Sequence, residues 1–105
     1  MKIVVVSGGF DPIHSGHIAY LEEAKKLGDK LIVALNSDDW LIKKKGKFFM
    51  PFNEREIILK NLKHVDDVIS FEDDELGSCK DALNKTKLKY PHEEILFCNG
   101  GDRNK

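Results

Sequence analysis

Residues 2–17 read KIVVVSGGFDPIHSGH, and this stretch decides the fold. Ile3 to Val6 form an unbroken apolar run rich in β-branched side chains, the pattern of a strand buried on both faces in a parallel sheet. Gly8 and Gly9 follow, and without side chains they let a ligand approach the backbone closely. Asp11 and Pro12 are turn formers. From Ser15 the pattern turns helical, since Ile18, Leu21, Ala24 and Leu27 recur at every third position and mark one face. Ser15 is the expected N-cap and Gly28 the expected residue just past the helix end. A strand that empties through glycines into a helix start makes an anion site. The first amides of a helix lack internal partners, and the helix dipole adds positive potential there. His14 and His17, three residues apart, bring two imidazoles to that terminus, where their N–H groups suit a phosphate whose charge spreads during displacement. The plain alternative is a tight turn carrying two surface histidines.

Outward from this stretch, strands and helices alternate. KLIVALN (30–36) reads as a second buried strand, and SDDWLIKKK (37–45) opens a short helix capped by Ser37 or Asp38. GKFFMPF (46–52) is a loop. NEREIILKNL (53–62) reads as a helix with Asn53 as N-cap and Glu56 three residues on, the pattern of a capping box. DVISF (67–71) is a third strand, SCKDALNKTKL (78–88) a helix capped by Ser78, and EILFC (94–98) a fourth strand. The alternation predicts a single α/β domain over residues 1–105, a Rossmann-like doubly wound parallel sheet with right-handed crossovers. In such sheets ligands bind beyond the carboxyl ends of the strands, where the strand order reverses. The exit of the first strand is well placed for that.

Composition narrows the function. The 105 residues are 33% charged and 41% hydrophobic, an ordinary globular balance. A formal net charge of -1 supplies no overall basic field, so no nucleic-acid partner is expected and any attraction for phosphate must be local. Cys79 and Cys98 have neither metal-ligand nor CxxC spacing and read as reduced thiols, with no metal site expected. No apolar run approaches the ~20 residues that cross a bilayer, and no signal-peptide pattern opens the chain. The expected address is the cytoplasm, without a membrane partner. KKKGK (43–47) is the dense basic cluster, either a solvated helix end or a clamp over phosphates. Arg55 sits in the expected first turn of its helix, where the dipole disfavours a cation, which hints at a partner for it. Asp11 would either hold its turn by bonding nearby amides or help place Mg²⁺. EDDE (72–75) reads as a solvated loop. Trp40, Phe48, Phe49 and Phe52 surround the basic loop, as packing or as a wall for a second substrate.

GGFDPIHSGH resembles the signature of the nucleotidylyltransferase superfamily, with its His-x-Gly-His motif. HIAYLEEAKKLGDKLIVALNSDDW and PFNEREIILKNLKHVDDVI are similar to the cytidylyltransferase-like group, which includes glycerol-3-phosphate cytidylyltransferase and heptose-1-phosphate adenylyltransferase. NGGDR resembles the glycine-aspartate turn after that group's fourth strand. The first motif also resembles nicotinate-mononucleotide adenylyltransferase, but LGDKLIVALNSDD and NEREIIL argue against it.

The resemblance implies transfer of a CMP or AMP moiety from CTP or ATP to a small phosphorylated alcohol or sugar, with release of pyrophosphate. Mg²⁺ would be carried by the nucleotide phosphates. His14 and His17 would contact the phosphates and stabilise the transition state. Gly8, Gly9, Phe10, Asp11, Lys47, Gly101 and Asp102 would bind nucleotide, and Lys44 and Arg55 would act in catalysis and on the second substrate. Lys63 and Asp66 match positions tied to the site or to a dimer interface, and a homodimer is a possible partner state. The resemblance also implies a Ser/Thr-rich helix start after the fourth strand, so the native protein is expected to continue beyond Lys105 and to cover apolar surface there. A chain lacking that segment would instead be a nucleotide-binding module without turnover.

Overall fold

The computed structural model describes residues 1–70 and 80–98, and there the alternation expected from the sequence is realised. The order is β1 (Lys2–Gly8), α1 (Ser15–Lys25), β2 (Lys30–Leu35), α2 (Asp38–Lys45), α3 (Phe52–Lys60), β3 (Asp67–Ser70), α4 (Lys80–Lys89) and β4 (Glu94–Cys98). The four strands form one parallel sheet in the order β3-β2-β1-β4. The chain steps outward from β1 to β2 to β3, then crosses back to place β4 on the other side of β1. The strand order therefore reverses at the β1/β4 crevice.

Alternate side chains of each strand enter two cores. Val4, Val6, Leu31, Val33, Leu35 and Val68 face α1 and α3, which contribute Leu21, Ala24 and Leu59. Ile3, Val5, Ile32 and Ala34 face the other way, with Ala82 of α4 and the partly buried Ile69, Tyr90 and Ile95. Helices thus cover both sheet faces, as the unbroken apolar runs of β1 and β2 require. Burying each such aliphatic side chain stabilises by about 1.5–3 kcal/mol.

The helix boundaries depart from the sequence reading in instructive ways. His14, not Ser15, is the N-cap of α1. Of the expected stripe only Leu21 and Ala24 are buried; Ile18 is exposed within α1, and Leu27 is exposed beyond its end at Lys25. Gly28 does not take the left-handed conformation of a helix stop. It lies against β1 instead, where a Cβ would fall 2.7 Å from Val4 Cγ2 and 2.9 Å from the Lys2 carbonyl. Ser37 caps α2 by accepting from the Trp40 amide at 3.0 Å, and Gly46 ends it at φ 84°. Pro51, not Asn53, precedes α3, and no side chain caps that helix. Asn53 and Glu56 already lie within the helix, so their capping box does not form. Ser78 and Cys79 fall outside the described residues, and Cys98 is a free thiol. Asp66 and Lys63 lie before β3. The Asp66 carboxylate accepts from the Leu31 amide at 2.7 Å and from Lys25 at 2.5 Å, at the strand ends opposite the cleft described below. No helix among the described residues is long and apolar enough to cross a membrane.

Candidate active site

A cleft of about 320 Å³ opens at the exits of β1 and β2. Gly9, Phe10, Asp11 and Pro12 form its floor, His14 and His17 one wall, and Trp40, Leu41 and Lys44 the other. Phe10 adopts φ 51°, a conformation that L side chains rarely take. This sends its ring down into the core, where it is 5% exposed and meets His17 edge-on at 5.0 Å. The backbone is left to line the cleft. Packing leaves little room for a side chain at Gly8 or Gly9. A Cβ on Gly8 would lie 2.9 Å from the Phe10 ring, and one on Gly9 2.8 Å from Leu41 Cδ2.

The two histidines are tied into the helix start. His14 Nδ1 accepts from the Gly16 amide at 3.1 Å, and His17 Nδ1 accepts from the His14 amide at 3.2 Å. This is a reciprocal capping box made of imidazoles. An Nδ1 that accepts carries no proton, so each neutral ring bears its N–H on Nε2. The rings stack with centroids 4.0 Å apart and planes inclined by 28°. Burial, with a smaller contribution from His14, holds the His17 pKa below the usual imidazole value. Gly16 explains the glycine between them, since a Cβ there would lie 2.9 Å from His14 Cε1.

Asp11 reaches beyond its own turn. Its carboxylate accepts from the Phe49 amide at 2.7 Å and the Met50 amide at 2.6 Å, which pins the distant 46–51 loop to the β1 exit. Both oxygens are thus engaged by amides. Among the described residues no group of three or more His, Cys, Asp or Glu side chains is placed to hold a metal ion.

Arg55 corrects the expectation of direct substrate contact. Its side chain is 0% exposed. Its guanidinium donates to the carbonyls of Met50 (2.9 Å), Gly9 (2.9 Å) and Asn36 (2.8 Å), and to Asp38 Oδ1 at 2.7 Å. It joins the exits of β1 and β2, the start of α2 and the loop before α3. Asp38 is its counter-ion rather than the α2 cap. The partner that the dipole argument required is therefore internal.

The lysines separate. Lys44 lines the cleft with its ammonium 5.2 Å from the centre of the Trp40 ring, whereas Lys47 lies over Phe49 at 5.4 Å and is not part of the cleft wall. Phe52 packs against the core beneath the Arg55 guanidinium, and Phe49 is exposed. Of the aromatic group, Trp40 is the one that lines the cleft. Gly101, Asp102, Arg103 and the 72–75 acidic run fall outside the described residues. Sequence reasoning missed Asn36 and Leu41. Asn36 acts here through a backbone carbonyl, which no side-chain pattern announces, and Leu41 reads simply as a helix hydrophobe.

The profile of the cytidylyltransferase-like family matches residues 5–101. The chain belongs to the cytidylyltransferase-like family. It is 41% identical over 112 aligned positions to the bifunctional protein HldE of Enterobacter sp. (strain 638), with 96% of this chain and 24% of that protein covered. The match to HldE of Salmonella newport (strain SL254) has the same extent. The chain thus spans about a quarter of the length of these curated relatives. Among solved structures, the lipopolysaccharide core biosynthesis protein of Thermoplasma volcanium GSS1 superposes with a TM-score of 0.71 at 25% identity, over 99% of both chains. A protein of unknown function from Archaeoglobus fulgidus shares the fold, with a TM-score of 0.60 at 19% identity, over 100% of this chain and 96% of that one. In this cytidylyltransferase-like chain, the matched region takes in the whole cleft.

Proposed function

We propose that the chain is a nucleotidylyltransferase that moves a CMP or AMP unit from CTP or ATP onto a small phosphorylated alcohol or sugar. The observation that carries this reading is the imidazole capping box. It fixes both rings at a helix N-terminus with Nε2–H as their donor, beside a backbone floor built by Gly9 and Phe10. Family membership supports the reaction class.

In the proposed reaction an oxygen of the acceptor phosphate attacks the α-phosphorus of the triphosphate. The bond from that phosphorus to the bridging oxygen breaks on the opposite side, and the electron pair leaves with pyrophosphate. A phosphate is already an anionic nucleophile at neutral pH, so no strong base is needed. Catalysis then rests on positioning and charge stabilisation. The α1 N-terminus and the two Nε2–H donors would meet the charge that grows on the α-phosphate and leaving oxygens. Lys44, across the cleft, would neutralise the incoming phosphate, while Lys47 would join only if its loop swings toward the nucleotide. Arg55 acts at one remove, by holding the walls. Mg²⁺ would enter as part of the nucleoside triphosphate substrate.

The test is pyrophosphate release from MgCTP and MgATP with a panel of phosphorylated acceptors. His14→Ala and His17→Ala should each lower kcat by roughly 10²–10³. Nucleotide binding with no pyrophosphate release from any acceptor would leave only a nucleotide-binding module. Near wild-type turnover in either variant would sink the assignment of the histidines.

A further inference from the structure

The sheet topology separates two sides of the cleft. The crevice at which strand order reverses lies between β1 and β4, and such a crevice is where a nucleotide sits in open α/β sheets. Trp40 and Lys44 belong to α2, which follows β2, on the other side of β1. They line the cleft on the side away from that crevice.

Trp40 is held there by two constraints. Its amide donates to the Ser37 N-cap at 3.0 Å, and its benzo edge lies over Gly9, with Cζ3 3.5 Å from where a Cβ on that glycine would be. Lys44 stands over the ring. A cation–π contact at an open site is weak and readily exchanged for a stronger anionic partner. The pair therefore offers one ammonium and one flat apolar face, side by side.

That combination suits a ligand with a phosphate at one end and a flat array of C–H bonds next to it. A closed sugar ring presents such an array, because alternate axial C–H groups share a face of the ring and are polarised by neighbouring oxygens. A short open-chain alcohol phosphate presents none. We infer that Trp40 is the specificity-determining residue of the acceptor side, and that it selects a cyclic sugar phosphate over an open-chain alcohol phosphate. The inference rests on the transferase reading and deepens it. The phosphate takes the Lys44 ammonium, and the ring face of the sugar replaces that ammonium against the indole.

Trp40 is the single tryptophan of the chain, so its fluorescence reports this wall alone. The probes are glucose 1-phosphate, mannose 1-phosphate, glycerol 3-phosphate and inorganic phosphate. Each is titrated into the full chain by fluorescence and by calorimetry, and MgATP and MgCTP are titrated by calorimetry alone. At least one hexose phosphate should bind about tenfold more tightly than glycerol 3-phosphate or inorganic phosphate, a stacking contribution of ordinary size, and should change the Trp40 emission. Trp40→Ala should erase that preference while leaving nucleotide and inorganic phosphate affinities in place. Trp40→Phe should restore most of it, which loss of folding would not permit. Equal binding of all four phosphates, or a preference that survives Trp40→Ala, would overturn the inference. So would a Trp40→Ala variant that loses nucleotide affinity instead, since the indole would then be a base platform. A wild-type chain that keeps the sugar preference but binds neither nucleotide would retain the Trp40 wall and refute the transferase.

Discussion

Gly16 shows how closely one residue ties the fold to the chemistry. A Cβ at this position would press on His14 Cε1 at 2.9 Å, and relief requires the ring to leave the Gly16 amide it now caps. Losing an N-cap costs about 1 kcal/mol, while alanine gains roughly as much over glycine as a helix former. The two effects nearly cancel in stability but not in geometry. Gly16→Ala should therefore keep its unfolding free energy within about 1 kcal/mol of wild type and still lose most turnover, as measured by urea unfolding beside pyrophosphate release. Full activity would mean that His14 needs no cap to act. The burial of His17 also predicts a pH response. The folded-state pKa of His17 lies below its unfolded value, so the neutral ring contributes stability that is present above pH ~6.5. That stability is lost as pH falls from there through the depressed folded pKa. Protonated Nδ1 would also set an N–H against the His14 amide. Thermal unfolding from pH 7.5 down to 5 should lower Tm more steeply in wild type than in His17→Ala, and parallel profiles would remove His17 from the titration.

Between elements, the 46–51 loop is fastened from two sides, by the Asp11 carboxylate at the β1 exit and by Arg55 from α3. Arg55 alone satisfies three backbone carbonyls and one carboxylate without contact to solvent. Its removal would take one donor from each of those acceptors, a loss of about 1–3 kcal/mol for each buried polar group left unsatisfied. Arg55→Ala should thus destabilise the protein before any nucleotide is added, and Arg55→Lys should recover only part, because an ammonium lacks the planar fork. Unchanged stability with lost substrate binding would return Arg55 to direct substrate contact. The sequence announced that Arg55 needed a partner, because a cation in a first turn opposes the dipole. It did not name the partner, since three of the four acceptors are backbone carbonyls. The same limit explains the misplaced caps. Ser15 and Asn53 have the chemistry of caps, but the turn through Asp11 and Pro12 moves the α1 cap one residue earlier, and the loop through Pro51 moves the α3 cap two residues earlier, than their patterns suggest.

Across the whole molecule, the strands were legible because burial on both faces leaves apolar runs that no helix period explains. Their order was not legible, since each of several parallel orders satisfies the same runs. The realised order makes β1 and β2 the interior strands, and the floor of the cleft hangs from the exit of β1. Ile3 to Val6 are 0% exposed and Leu31 to Leu35 at most 1%. On the edges, Val68 is the one buried residue of β3, and Leu96 of β4 remains 37% exposed. Opening should therefore begin at the edges, in β4 with α4, and reach β1 only on global unfolding. Native-state hydrogen exchange should show the amides of Val4 to Val6 and Ile32 to Leu35 as the slowest in the chain, and those of β4 as faster. A nucleotide that binds the folded cleft adds about 2.7 kcal/mol at a hundredfold excess over Kd. It should slow the β1 and β2 amides by that amount, because their exchange waits on global unfolding. Amides of β4 that exchange through local opening should slow only where the ligand itself reaches the β1/β4 crevice. Equal slowing of β4 and β1 would mean that the nucleotide spans the crevice as the topology implies. Slowing confined to β1 and β2 would place it wholly on the α2 side, against the division of the cleft argued from the strand order.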